Sequence, residues 1–216
     1  MRYYVYISGA KLDMLAPQVP RRLWERLEPT LSIEAAGIKG SLAGARQPAS
    51  MEANLNRVIS HLEKLGVGSV EEPREYFKGV LSMKYMVVGN SMVLWGGAVA
   101  EDSLRVGLAG SSDHLQSSTY RSNGKALTGS LTHDILDNIG AYLEHSGVRS
   151  SPVKQRDVSA ETALWHTWEA IKLMHEDRSL PPLRGYEFFA KRLLHGSLGG
   201  GELVLLGTPL YVALSD

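Results

Sequence analysis

The apolar residues of this 216-residue chain fall into short alternating runs and longer helical stripes, mixed without strict β-α-β order. Tyr3 to Ile7 is aromatic and β-branched, which predicts a strand. Ser8-Gly9-Ala10-Lys11 then reads as a turn. Pro17 and Pro20 argue against a regular helix across Leu12 to Pro20, so a packed loop is expected there. A short helix is expected at Arg21 to Leu27, ended by Pro29. Leu31, Ile33 and Ala35 alternate as a second strand, and three glycines between Gly37 and Pro48 suggest a loop. Ser50 is placed to cap a helix carrying Met51, Leu55, Val58, Ile59, Leu62 and Leu65, which Gly66 would close.

Tyr76 to Gly110 predicts a three-strand antiparallel meander. Its turns are expected at Gly89-Asn90 and Glu101-Asp102, links too short for anything but antiparallel pairing. The second half reads as mostly helical. Leu131, Ile135, Ile139 and Leu143 mark one helix, and Arg149 to Asp157 is a polar link. Ser159 would cap a helix with Leu164, Trp168, Ile171 and Met174, and Tyr186 to Leu194 reads as a last helix. The chain then runs through four glycines between Gly196 and Gly201. The closing strand is expected beside the first strand or the meander. The fold class that follows is α+β in a single domain over residues 1–216: a mostly antiparallel sheet containing the meander, covered by amphipathic helices.

Composition narrows the functions. Lys plus Arg and Asp plus Glu number 23 each, so the chain has no general attraction to nucleic acid or an anionic membrane. Arg21, Arg22 and Arg26, and Lys191 with Arg192, read as solvated helix faces. No cysteine is present, which excludes disulfides, thiolate catalysis and cysteine-held zinc, and suits a cytoplasmic setting. The first residues are too short and aromatic for a signal peptide, and no apolar run approaches the roughly 20 residues of a membrane span.

The candidate chemistry lies at strand ends. Val106 to Ser111 ends in Gly-Ser, Val204 to Thr208 in Gly-Thr, and Ile7-Ser8-Gly9 is a looser case. Glycine there lets backbone approach a ligand, and the following hydroxyl can donate or accept. Clustered backbone N–H groups in such loops bind anions; the plainer account is ordinary turn punctuation. Ser111-Ser112-Asp113-His114 packs three catalytic residue types into one loop, although a triad requires geometry that sequence neighbours rarely provide. Lys11, Asp13 and Gln18 fall in the loop after the first strand. Lys191 and His195 would lie near the end of the last helix, facing Gly207-Thr208, and helix-dipole stabilisation is the plainer account of them. No cofactor signature is present: neither a P-loop nor a Rossmann fingerprint occurs. Nor is a metal site expected. His166 and His175 are nine residues apart, and His133 with Asp137 is half a site. His166 between Trp165 and Trp168 reads as a packed or hydrogen-bonded histidine.

Tyr6 to Leu15, Tyr186 to Leu194 and Gly207 to Leu214 together resemble an uncharacterised bacterial family, mainly actinobacterial, with no assigned activity. The resemblance spans nearly the whole chain and carries over no catalytic residue. It implies at most an association with conflict or signalling modules, and hence sensing.

These readings converge on a ligand-binding or sensor protein for a small, anionic, nucleotide-like molecule. The expected ligand-binding residues are Lys11, Asp13, Ser111, His114, Lys191, His195 and Thr208. One alternative is a small hydrolase. His114 would be its general base, Asp113 or Asp13 the partner, and Lys11 or Lys191 the anion stabiliser. The other is an interaction module without a small ligand. Trp24 or Trp165 would mark its surface, with a homodimer formed through the meander edge or the long helices.

Overall fold

The computed structural model describes residues 2–20, 50–89, 91–99, 103–116, 132–148 and 159–215. The expected helix at 21–27, strand at 31–35, loop at 37–48, turn at 101–102 and link at 149–157 lie outside them, as do Trp24, Asn90 and Leu131. In chain order the elements are β1 (Tyr3–Ile7), α1 (Gly9–Leu15), α2 (Met51–Leu65), β2 (Tyr76–Val88), β3 (Met92–Val99) and β4 (Leu104–Ser111). There follow α3 (Thr132–His145), α4 (Ala160–Glu176), β5 (Arg184–Ser197) and β6 (Leu203–Leu214). Short 3₁₀ turns occupy Ala16–Gln18 and Ser112–His114.

The class is α+β, but the sheet closes. Strands run in the order β1-β6-β4-β3-β2-β5, and β5 pairs back to β6. β2 to β6 therefore form a five-stranded barrel, with β1 added on β6. The meander is present as read, with Tyr85 opposite Trp95 and Gly96 opposite Gly107. β4 and β6 pair in parallel, so the sheet is mixed. Closure leaves the meander no free edge: β2, β3 and β4 each have a strand on both sides. A dimer through the meander edge is thereby removed from consideration.

A barrel this narrow fills its own interior. Phe77, Met83, Val93, Trp95, Val106, Leu108, Phe188 and Leu205 are all buried inside it. The outer surface is covered on two sides. α3 and α4 lay Ile135, Ile139, Leu143, Ala170 and Met174 over Leu94, Ala109 and Leu206. α1 and α2 lay Leu12, Leu55, Val58 and Leu62 over Ile7, Phe189, Leu210 and Tyr211. Close approach of α4 depends on the Gly96–Gly107 pair: a Cβ on either would meet Ile171 at 3.2 and 3.3 Å. The caps read from sequence are in place. Ser50 Oγ accepts from the Ala53 N–H, Ser159 Oγ from the Thr162 N–H, and Gly66 takes φ +98° after α2.

Three expectations fail. Gly9 to Leu15 is helical, because Pro17 stands past its end, in the 3₁₀ turn where its missing N–H costs nothing. Tyr186 to Leu194 is strand, not helix. Its inner residues Tyr186, Phe188 and Ala190 fill the barrel while Phe189, Leu193 and Leu194 meet helices outside, so both faces are apolar. Gly207-Thr208 does not end a strand: β6 runs through it to Leu214. Pro209 is tolerated because β6 changes partner there. β4 pairs as far as Gly207, β1 takes over from Tyr211, and Leu210 is the extra residue of a bulge against β5.

Candidate functional site

The change of partner along β6 opens a fork. β4 diverges from β6 after Leu108 and Gly207, and β1 enters the gap from the other side, with the Ser8 N–H donating to the Leu210 carbonyl at 2.9 Å. The chain turns straight from β1 into α1, which carries Lys11 back over the fork. The Lys11 ammonium donates to the Pro209 carbonyl at 3.1 Å and to Ser8 Oγ at 3.3 Å. Both acceptors are uncharged, and no ion pair reaches Lys11 among the described residues. Burial lowers its pKa to about 8.

The strands that meet at the fork carry buried hydroxyls. Ser8, Ser111, Ser112 and Thr208 are all buried. Thr208 Oγ1 has no hydrogen-bond partner among the described residues. The Tyr6 hydroxyl lies near Ser8 and the Ser111 backbone but reaches neither in good geometry. Gly110 is what admits that ring, since a Cβ there would meet the hydroxyl at 2.3 Å. Burial raises the Tyr6 pKa, keeping the phenol neutral. His114, at the end of the 3₁₀ turn after β4, stands edge-on to the Tyr6 ring at 5.8 Å. Burial, and then the Lys11 charge, hold its pKa below the ordinary histidine value against the opposing pull of Asp113. The imidazole is therefore neutral beside a charged lysine.

Of the seven residues expected to bind ligand, Lys11, Ser111, His114 and Thr208 gather at this fork. Lys191 lies opposite Thr208 across the β5–β6 pairing and pairs with Glu75 at 3.5 Å. His195 and Asp13 do not join the cluster. His195 is exposed and opposite Leu205, because a strand carries it about 13 Å along from Lys191 rather than one helical turn. Asp13 is exposed on α1, where two residues along a helix turn a side chain well away from Lys11. Gln18 donates to the Met14 carbonyl at 3.1 Å. Gly207 faces the interior, where a Cβ would meet the Phe77 ring at 2.6 Å, so this glycine makes room for a core ring and not for a ligand.

Tyr6 and Pro209 escape a reading of the sequence, and Ser8 is visible there only as a looser strand end. Their part in the cluster depends on the partner change in β6, which no local pattern announces. Elsewhere, His166 is fully buried with neither ring nitrogen bonded among the described residues, so it is packed. His133 and Asp137 form an exposed pair at 3.4 Å. No group of three His, Asp or Glu that could hold a metal occurs among the described residues. Trp165 is half-buried against the α3–α4 core. No described helix is long and apolar enough to cross a membrane.

Fold and cluster together define a helix-clad, closed-barrel α+β protein with a buried, cationic strand fork. The chain belongs to DUF7019, a family of unknown function whose model matches residues 2–216. No curated protein and no solved structure matches it.

Proposed function

We propose that this protein binds a small anionic ligand of the nucleotide type at the β4–β6–β1 fork, as a ligand-binding or sensor protein of a cytoplasmic signalling or conflict system. The observation that carries the reading is Lys11. A half-buried ammonium that, among the described residues, meets a carbonyl and a hydroxyl but no carboxylate is poorly compensated, and an anion would complete it. The unbonded hydroxyls of Thr208 and Tyr6 supply further donors, and Ser111 and His114 line the same place. Binding is put before hydrolysis because a cation beside hydroxyls suffices to hold an anion without any bond being made or broken. A homodimer, if formed, would use the helices, since the barrel has no open meander edge.

The test is a thermal-shift and native mass spectrometry screen with nucleotides and cyclic oligonucleotides. A ligand that binds the folded state raises the melting temperature with concentration. Lys11→Met and the Thr208→Val/His114→Ala double variant should fold and lose that response. A nucleotide response of unchanged size in both variants would place the ligand elsewhere.

A further inference from the structure

The barrel's open end beside β1 holds a cavity of about 380 Å³, within the small-molecule range of roughly 300–1,000 Å³. Its wall is mainly aromatic: Tyr3, Tyr85, Trp95 and Tyr186 come from four different strands, with Arg184 and Gln116 among them. Trp95 and Tyr186 are almost fully buried and serve as its floor, while Tyr85 stands 36% exposed at the rim. The Tyr85 and Trp95 rings lie 6.5 Å apart with planes 31° from parallel, so the buried indole backs the exposed Tyr85 ring at the opening. Phe77, Phe188 and Met83 fill the barrel further in.

The polar groups are few and unlike. Arg184 is exposed and makes no ion pair among the described residues. Gln116 donates its amide N–H to the His114 carbonyl at 3.2 Å, which leaves its amide oxygen as an acceptor. We infer that this mouth binds a planar aromatic molecule bearing a negative group, with its ring on the exposed face of Tyr85 and its charge on Arg184. Flat rings favour a flat ligand through offset or edge contacts, and a free guanidinium favours a carboxylate or phosphate. The Gln116 oxygen adds a place for a ring N–H or exocyclic amine. None of these residues belongs to the Lys11 cluster, although Gln116 meets the His114 carbonyl and Trp95 the Tyr6 ring, so the inference goes beyond the anion site.

Calorimetric titration with 2-naphthoate tests it on the full chain. 2-Naphthoate should bind and cyclohexanecarboxylate should not. Tyr85→Ala should weaken 2-naphthoate about tenfold, the scale of one aromatic stack. Arg184→Gln should weaken 2-naphthoate while leaving the neutral 2-naphthamide unchanged, and Lys11→Met should leave 2-naphthoate unchanged. Both mouth positions are exposed enough for the variants to melt like the parent, which a thermal scan checks. The inference is overturned if 2-naphthoate produces no heat at millimolar concentration. It is equally overturned if Tyr85→Ala and Arg184→Gln both bind as the parent does, or if Lys11→Met alone abolishes binding.

Discussion

Lys11 sets an electrostatic problem that its neighbours only partly answer. Its pKa falls from 10.5 to about 8 through burial, so between those values the unfolded chain holds a proton that the folded chain has released. Stability therefore rises as pH increases through that window, and the unfavourable buried charge is fully present below about pH 8. Urea melts from pH 7 to 9.5 should show the parent gaining on Lys11→Met by roughly 1–2 kcal/mol. Taking the difference cancels the tyrosines, whose titration both proteins share. Parallel curves would mean that Lys11 is solvated. An anion bound at the fork reverses the sign for binding: it favours the protonated amine, so affinity should fall as pH climbs past about 8. His114 adds little to that profile, because burial and Lys11 already keep it neutral near pH 7. At this scale the sequence was informative about residue type. Ser111 and Thr208 follow glycines, Lys11 lies after the first strand and His114 in a polar loop; Lys11 reaches the Pro209 carbonyl beside Thr208 and its charge acts on His114. Asp13, in the same loop reading as Lys11, and His195, expected on a helix, both point away, since only the backbone geometry of α1 and β5 decides which way they face.

Elements were legible where one face is apolar and the other wet. α2, the meander and α4 announce themselves through cap residues, periodicity and tight turns. β5 was not legible, because a strand with a filled barrel on one side and packed helices on the other loses its alternation. Tyr186, Phe189, Ala190, Leu193 and Leu194 then match a helical stripe as well as they match two buried strand faces. Gly207-Thr208 reads as a strand end for a related reason, even though the last strand is expected to run almost to the C-terminus: glycine and proline punctuate most strands, and here one makes room for Phe77 while the other marks a change of partner. That explanation is testable. Gly207→Ala would press a methyl to 2.6 Å from the buried Phe77 ring and 3.2 Å from the Lys191 carbonyl. Overpacking of this kind costs about 1–3 kcal/mol. Chemical denaturation should show that loss, and Phe77→Leu in the same chain should recover part of it. A neutral Gly207→Ala would mean that the glycine serves the fork after all.

β6 ties the molecule together. It pairs with β5 along its whole length, with β4 over Leu203 to Gly207, and with β1 over Tyr211 to Leu214. Opening it requires separating most of the barrel at once. β1 has five residues, and its ladder is to β6, with single contacts to the stretch after β4 through Leu115 and Gln116. Its release with α1 would leave the ring of β2 to β6 paired. Native-state hydrogen exchange should therefore divide the sheet. Amides of β6 bonded to β5 should exchange only at the global unfolding free energy, and those of β1 and α1 through a lower-energy local opening. Ser8 and Lys11 belong to the unit that opens first, so a ligand seated at the fork must hold that unit down. Its binding free energy should appear as added protection in β1 and α1, growing by RT ln(1 + [L]/Kd) until it meets the global limit. A ligand confined to the barrel mouth would touch Tyr3 and Tyr4 at the other end of β1, but also Tyr85 and Tyr186 in the ring. It should therefore protect β1 without protecting Lys11 and its neighbours to the same degree. Uniform slowing across all six strands would instead show that β1 does not open independently, and the fork would then be a fixed part of the barrel, not a latch on it.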